Sequence, residues 1–188
     1  MIDLADLNPN VRRLVSWGVT AGSVLLCALI LPARLPGMEL LSVAPNWFVI
    51  WVVAWSVKRT MLQGAIAGLA LGFIQDGMTS PNPTHALSLA VVGVLTARIQ
   101  KQRYIKEDFI SIALIVFGMA VVTETIIALQ FTLQRLVEAG GRSLSEIWLY
   151  HQQVALSSAI LSSLWAPVVY FPLNRWWEWM QDLEQPQA

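Results

Sequence analysis

Charge is scarce in this chain. Of its 188 residues, 13% are Asp, Glu, Lys or Arg, about half the share usual for a soluble domain. Twelve basic residues cancel twelve acidic ones, so there is no basic surplus of the kind that nucleic acid attracts. There is one cysteine, Cys27. It cannot form an internal disulfide, and it says nothing of the redox compartment. The usual catalytic signatures are missing as well. The sequence contains no Gly-x-Ser-x-Gly, no His-Glu-x-x-His, no Walker loop and no Cys pair. An intramembrane aspartyl protease needs two aspartates on facing helices, and Asp3, Asp6, Asp76, Asp108 and Asp182 all fall outside the middle of an apolar block. His85, His151 and scattered carboxylates do not make up a metal-ligand set. The expectation is a non-enzymatic protein with no cofactor, no metal and no nucleic-acid partner.

Apolar sequence, by contrast, is abundant. Hydrophobic residues make up 56% of the chain, and the mean hydropathy is +0.58. They come in uncharged blocks, where a soluble helix would interpose charge every turn or two. The length suits one compact bundle. A membrane-spanning helix needs about 20 mostly apolar residues. Leu14 to Leu31 is the first such block, closed by Pro32. A signal peptide is the rival reading of that block, disfavoured by its length and by the poor cleavage site at Pro32-Ala33-Arg34. Pro45 to Val57 and Met61 to Ile74 follow, separated by Lys58-Arg59. Two cations at the bilayer centre are costly, so this stretch reads as a tight hairpin of two short helices rather than one long one. Thr84 to Ala97, Ile110 to Phe131 and Gln153 to Leu173 complete the set.

The expectation is therefore an all-α bundle of six transmembrane helices. Residues 14–175 form the membrane domain, 1–13 the N-terminal segment and 176–188 a C-terminal tail, frayed from Asp182 onward. Asp76-Gly77, with Pro81 and Pro83, marks a turn over Gln75 to Pro83. Leu133 to Tyr150 is a polar excursion. It holds Gly140-Gly141 and a capping-box pattern, Ser143-x-x-Glu146, for a short helix. With six spans, one side of the membrane carries Arg12, Arg13, Lys58, Arg59, Arg98, Lys101, Arg103, Lys106 and Arg175. The other carries Arg34, Arg135 and Arg142. The basic excess places both termini in the cytoplasm. Trp176, Trp177 and Trp179 fall where an interfacial aromatic belt is expected.

Three features stand out as candidate partner or structural sites. Gly64, Gly68 and Gly72 recur every four residues and share one helical face, with Asp76 next in the series. Such a groove lets helices approach closely in lipid, either within the chain or with another subunit. Asp76 and His85 stand close in sequence, and each also has an ordinary local reading, as a turn residue and as a helix-start residue. Glu124 lies within the fifth block, between Thr123 and Thr125. An ionisable group at that depth implies function by default. It can also be held by a buried hydrogen bond, and His85, Gln153, Ser157, Ser158 and Ser162 are the candidate partners at similar depth.

Pro45-Asn46-Trp47-Phe48-Val49, continued through Trp55-Ser56-Val57-Lys58-Arg59, resembles the second helix of the rod shape-determining MreD family, where a Pro-Asx start leads into a short basic turn. Gly64 to Asp76 resembles the family's glycine-spaced helix ending in an acidic residue, and Thr84-His85-Ala86-Leu87 its fourth-helix start. Ser80-Pro81-Asn82-Pro83 departs from the glycine-rich turn of many members. The resemblance covers about residues 10 to 175. It implies a fold similar to the substrate-binding S component of energy-coupling vitamin transporters, and a non-enzymatic scaffold of the bacterial elongation machinery in the inner (plasma) membrane. The implied partners are MreC directly and, through it, MreB filaments, RodA and a class B penicillin-binding protein, with membrane lipids around them. The glycine face and the surroundings of Glu124 are the expected places for the MreC helix. The other reading, a small-molecule binding subunit of a vitamin-type transporter, requires a cavity with convergent polar groups.

Overall fold

A computed structural model describes residues 8–33, 37–79, 84–101, 108–137 and 143–184. Among these the chain is all helical: α1 (Pro9–Ile30), α2 (Trp47–Ser56), α3 (Met61–Thr79), α4 (His85–Lys101), α5 (Phe109–Val137) and α6 (Leu144–Glu184). Six helices match the number of apolar blocks. Three of them, α1, α5 and α6, are long and apolar enough to cross a membrane by themselves.

Helix α2 is different in kind. Nine of its ten residues are buried, in keeping with a sequence apolar on every side. At 1.5 Å per residue it is about 15 Å long, half the hydrocarbon thickness of about 30 Å. It therefore forms the centre of the core rather than a full span. Its start lies inside the bundle, where water is not available to satisfy backbone N–H groups. Asn46 supplies the cap, its side chain accepting from the Val49 N–H at 3.1 Å, while its own N–H donates to Ser162 Oγ on α6 at 2.9 Å. At the other end the chain breaks at Lys58-Arg59, as the two adjacent cations require. Lys58 forms an ion pair with Glu178 of α6, and the Arg59 guanidinium sits 4.4 Å over the Trp55 ring. Burial in this turn holds the Arg59 guanidinium below its ordinary pKa.

Several expected boundaries move. Helix α3 continues through Asp76-Gly77 to Thr79, so that dipeptide is helical and not a turn. Ser80 to Pro83 lie outside the described residues, as do Gly140-Gly141, Arg34, Arg103, Lys106 and Arg142. The capping box forms, with Ser143 N–H donating to Glu146 Oε2 at 3.0 Å and Glu146 N–H to Ser143 Oγ at 3.2 Å. It opens the long α6 rather than a separate short helix. The sixth helix thus begins nine residues before Gln153 and runs on through Asp182 to Glu184, so the boundary expected at 176 falls inside it.

The aromatic end of α6 also differs from a simple belt. Trp177 is buried. It packs edge-on against Trp55 and Trp51, at 5.1 and 6.3 Å between ring centres, and its indole N–H donates to Thr20 Oγ1 of α1 at 3.3 Å. Trp179 remains exposed and Trp176 is half-buried, so only part of the triplet is free to meet an interface. Two further contacts gather the ends of the chain. Arg12 Nη1 donates to the Leu183 carbonyl at 2.8 Å, and the Lys58–Glu178 pair lies about a turn and a half earlier in α6. The start of α1, the α2–α3 turn and the end of α6 therefore share one end of the bundle.

Candidate functional site

The glycine face of α3 lies against α4. A methyl group built on Gly64 would come within 2.5 Å of the Gly93 carbonyl oxygen, and one on Gly68 within 2.5 Å of the Leu89 carbonyl carbon. One on Gly72 would meet the Ala86 nitrogen at 2.6 Å. Apart from Ser56 Oγ of α2, 3.0 Å from the Gly64 methyl, these neighbours are backbone atoms of one antiparallel helix. The close approach that such a groove permits in lipid is used within the chain. With α4 in place, that face is closed to a second protein, so the expectation that it receives the MreC helix gives way to intrachain packing.

Asp76 stands at the end of the same face and ties α3 to the start of α4. Its Oδ1 accepts from the backbone N–H groups of Thr84 at 3.1 Å and His85 at 2.9 Å, and its Oδ2 from Ala86 N–H at 3.0 Å. His85 Nδ1 lies 2.8 Å from Oδ1. These are the orphan donors of a helix N-terminus, and a carboxylate there also faces the positive end of the helix dipole. Nine residues apart in sequence, Asp76 and His85 form one capping unit, committed to joining two helices. Gln130 of α5 joins it, donating from Nε2 to the Thr84 carbonyl at 3.1 Å.

Glu124 has a different partner from those expected. Its Oε2 lies 3.1 Å from His151 Nδ1, and both side chains are 11% exposed. His85 is held by Asp76. Ser157, Ser158 and Ser162 are buried in α6, and Ser162 accepts from α2. Sequence alone does not set His151 beside Glu124, because it falls between the polar stretch that ends at Tyr150 and the apolar block that opens at Gln153. Only once α6 starts at Leu144 does it become a helical residue level with Glu124. The capping box was the signal that could have found it. Phe131 stacks on the His151 ring at 5.6 Å, and Tyr150 meets it edge-on at 5.4 Å, which fixes the imidazole against the carboxylate.

The pair stands beside an open pocket of about 290 Å³ between α5 and α6. Thr125, Trp148, Gln152 and Leu156 line its rim. A second, almost wholly apolar hollow of about 370 Å³ lies between α1 and α6, bounded by Cys27, Met38, Trp47, Trp165 and Pro172. Neither the Asp76–His85 nor the Glu124–His151 pair has a third His, Cys, Asp or Glu that would complete a metal site among the described residues.

A helical bundle with spanning apolar helices, whose polar clusters join helix to helix, defines the class: a small integral membrane protein. More particularly, the chain belongs to the MreD family, since the model of the family described as rod shape-determining protein MreD matches residues 11–174. That stretch covers most of the chain and every helix but the ends of α1 and α6. The family is one of shape-determining proteins and not a known enzyme family, so this chain has a role in rod-shape determination as a membrane component of the rod-shape complex. No curated protein and no solved structure matches the chain.

Proposed function

We propose that the protein is a non-enzymatic scaffold of the cell-elongation machinery, binding the membrane helix of MreC and so helping to organise peptidoglycan synthesis and cell shape. MreB filaments, RodA and a class B penicillin-binding protein join through that complex. The family match over residues 11–174 carries the reading. The Glu124–His151 pocket supports it, because it remains open between α5 and α6 while the glycine face is filled. The protein sits in the inner (plasma) membrane with both termini in the cytoplasm. The basic excess at the end holding Arg12 and Lys58 and the Arg12 contact to α6 favour that arrangement.

Co-expression with MreC of the same cell and purification through a tag on this chain tests the partner. MreC should be recovered in stoichiometric amount, and its absence would sink the scaffold reading. Single introduced cysteines test the orientation, with buried Cys27 as the quiet background. A cysteine at Lys58 should stay protected from an impermeant thiol reagent in whole cells, and one at Ser145 should react.

A further inference from the structure

The polar floor of the α5–α6 pocket is incomplete. Hydrogen bonding accounts for Glu124 Oε2 through His151 Nδ1. Among the described residues no further hydrogen-bond partner reaches either side chain. With Nδ1 as the donor, His151 Nε2 is an acceptor, so the pair offers two free acceptors, Glu124 Oε1 and Nε2. No Lys or Arg lines the pocket. Glu124 is fifteen residues into α5, about 22 Å from its start, and therefore at membrane depth, where a carboxylate is rare without a partner.

We infer that this pocket receives an arginine or lysine side chain carried by the membrane helix of a partner, which pairs with Glu124 and bridges to His151; the inference rests on the scaffold reading above. The chemistry selects this occupant. Two acceptors that no donor of the lining reaches call for a donor-rich group, and a guanidinium or ammonium supplies both donors and the missing positive charge. Trp148, Leu156 and the methyl of Thr125 suit the long aliphatic stem of such a side chain, which packs on apolar surface while its head reaches a polar site. A phospholipid amine fits less well, because its phosphate would arrive beside the carboxylate with no cation in the lining to receive it.

The test uses the full chain co-expressed with MreC and recovered in detergent. Glu124→Gln should lower MreC recovery at least about tenfold, as expected when one member of a desolvated charge pair is lost. Glu124→Arg should abolish it, and changing one Lys or Arg in or beside the MreC membrane helix to Glu should restore it. Gln152 is exposed on the rim, so its variants leave the pair and the fold untouched. Gln152→Lys should weaken recovery and Gln152→Glu should preserve it, even if the Glu124 variants prove unstable. Full recovery of MreC with Gln152→Lys and Glu124→Gln would overturn the inference and leave the scaffold reading standing. Failure of wild type to recover MreC would remove both. Loss that no reversed MreC residue rescues, or phosphatidylethanolamine that co-purifies with wild type and disappears with Glu124→Gln, would overturn the basic side chain as occupant.

Discussion

Gly68→Ala should separate helix packing from helix propensity. The new methyl would lie 2.5 Å from the Leu89 carbonyl carbon and 2.7 Å from the Ala90 nitrogen, where ordinary contact begins at 3.4 Å. Both neighbours are backbone, so no rotamer change relieves the overlap, and α3 and α4 must part by about 0.9 Å or more. A gap of that size forfeits about a quarter to a half of the dispersion energy across the atoms it separates. Overpacking of a tight core costs about 1–3 kcal/mol. Alanine also favours a helix over glycine by about 1 kcal/mol, which would mask part of that loss. Gly118→Ala is the control: its added methyl has nothing within 4 Å, and it carries the same propensity gain. The difference between the two variants is then the packing cost alone, about 1–3 kcal/mol. At about 2–4 °C per kcal/mol for a chain of this size, Gly68→Ala should melt roughly 2–12 °C below Gly118→Ala. Thermal unfolding in detergent, read by size-exclusion fluorescence, measures it. Equal melting of the two variants would refute the closed α3–α4 face. The result also bears on partner assays, since Gly68→Leu or Gly72→Leu would disrupt the fold before it could report on MreC.

Asp76→Ala removes the acceptor of three backbone N–H groups at the start of α4 and should destabilise by about 3 kcal/mol, with Asp76→Asn intermediate; the melting temperatures in detergent give the order. Trp177→Ala opens a cavity among Trp51, Trp55 and α1 and should cost about 3–5 kcal/mol, whereas Trp179→Ala, on an exposed residue, should cost under about 1 kcal/mol. Ser143→Ala takes away half of the capping box, worth about 1 kcal/mol, and should raise amide exchange over the first turns of α6 while leaving α3 and α4 unchanged. His151→Ala strips Glu124 of its only hydrogen-bonded partner among the described residues and should lower the melting temperature more than Gln153→Ala, on an exposed neighbour.

The apolar blocks located every helix because hydrophobicity and chain breaks act locally. Pro32, the Lys58-Arg59 pair and the Asn46 cap each leave a mark within a few residues of the boundary they cause. The glycine spacing of α3 likewise named its buried face, though not the neighbour that fills it, since Gly93 and Ala86 look unremarkable in their own helix. The start of α6 is less legible because its first turns are polar, and polarity reads as loop until the cap is weighed against it. His151 is hidden with those turns. Trp177 shows the opposite limit. Three tryptophans after an apolar block suggest an interface, and only the tertiary packing of α1 and α2 assigns one of them to the core.

What the helices share is an economy of polar groups, and it constrains where a partner can bind. Asp76 is spent on the start of α4, Ser162 on the start of α2, and Thr20 and Ser23 on the indoles of Trp177 and Trp51. Each satisfies a donor that hydrocarbon would leave unpaired. Lys58 and Glu178 neutralise one another at the end that gathers the termini. Glu124 and His151 break this pattern, because their pairing leaves acceptors facing an open pocket, held in place by Phe131 and Tyr150. A group built so firmly into two helices, and yet not fully satisfied by them, is a place in this bundle where an outside donor gains.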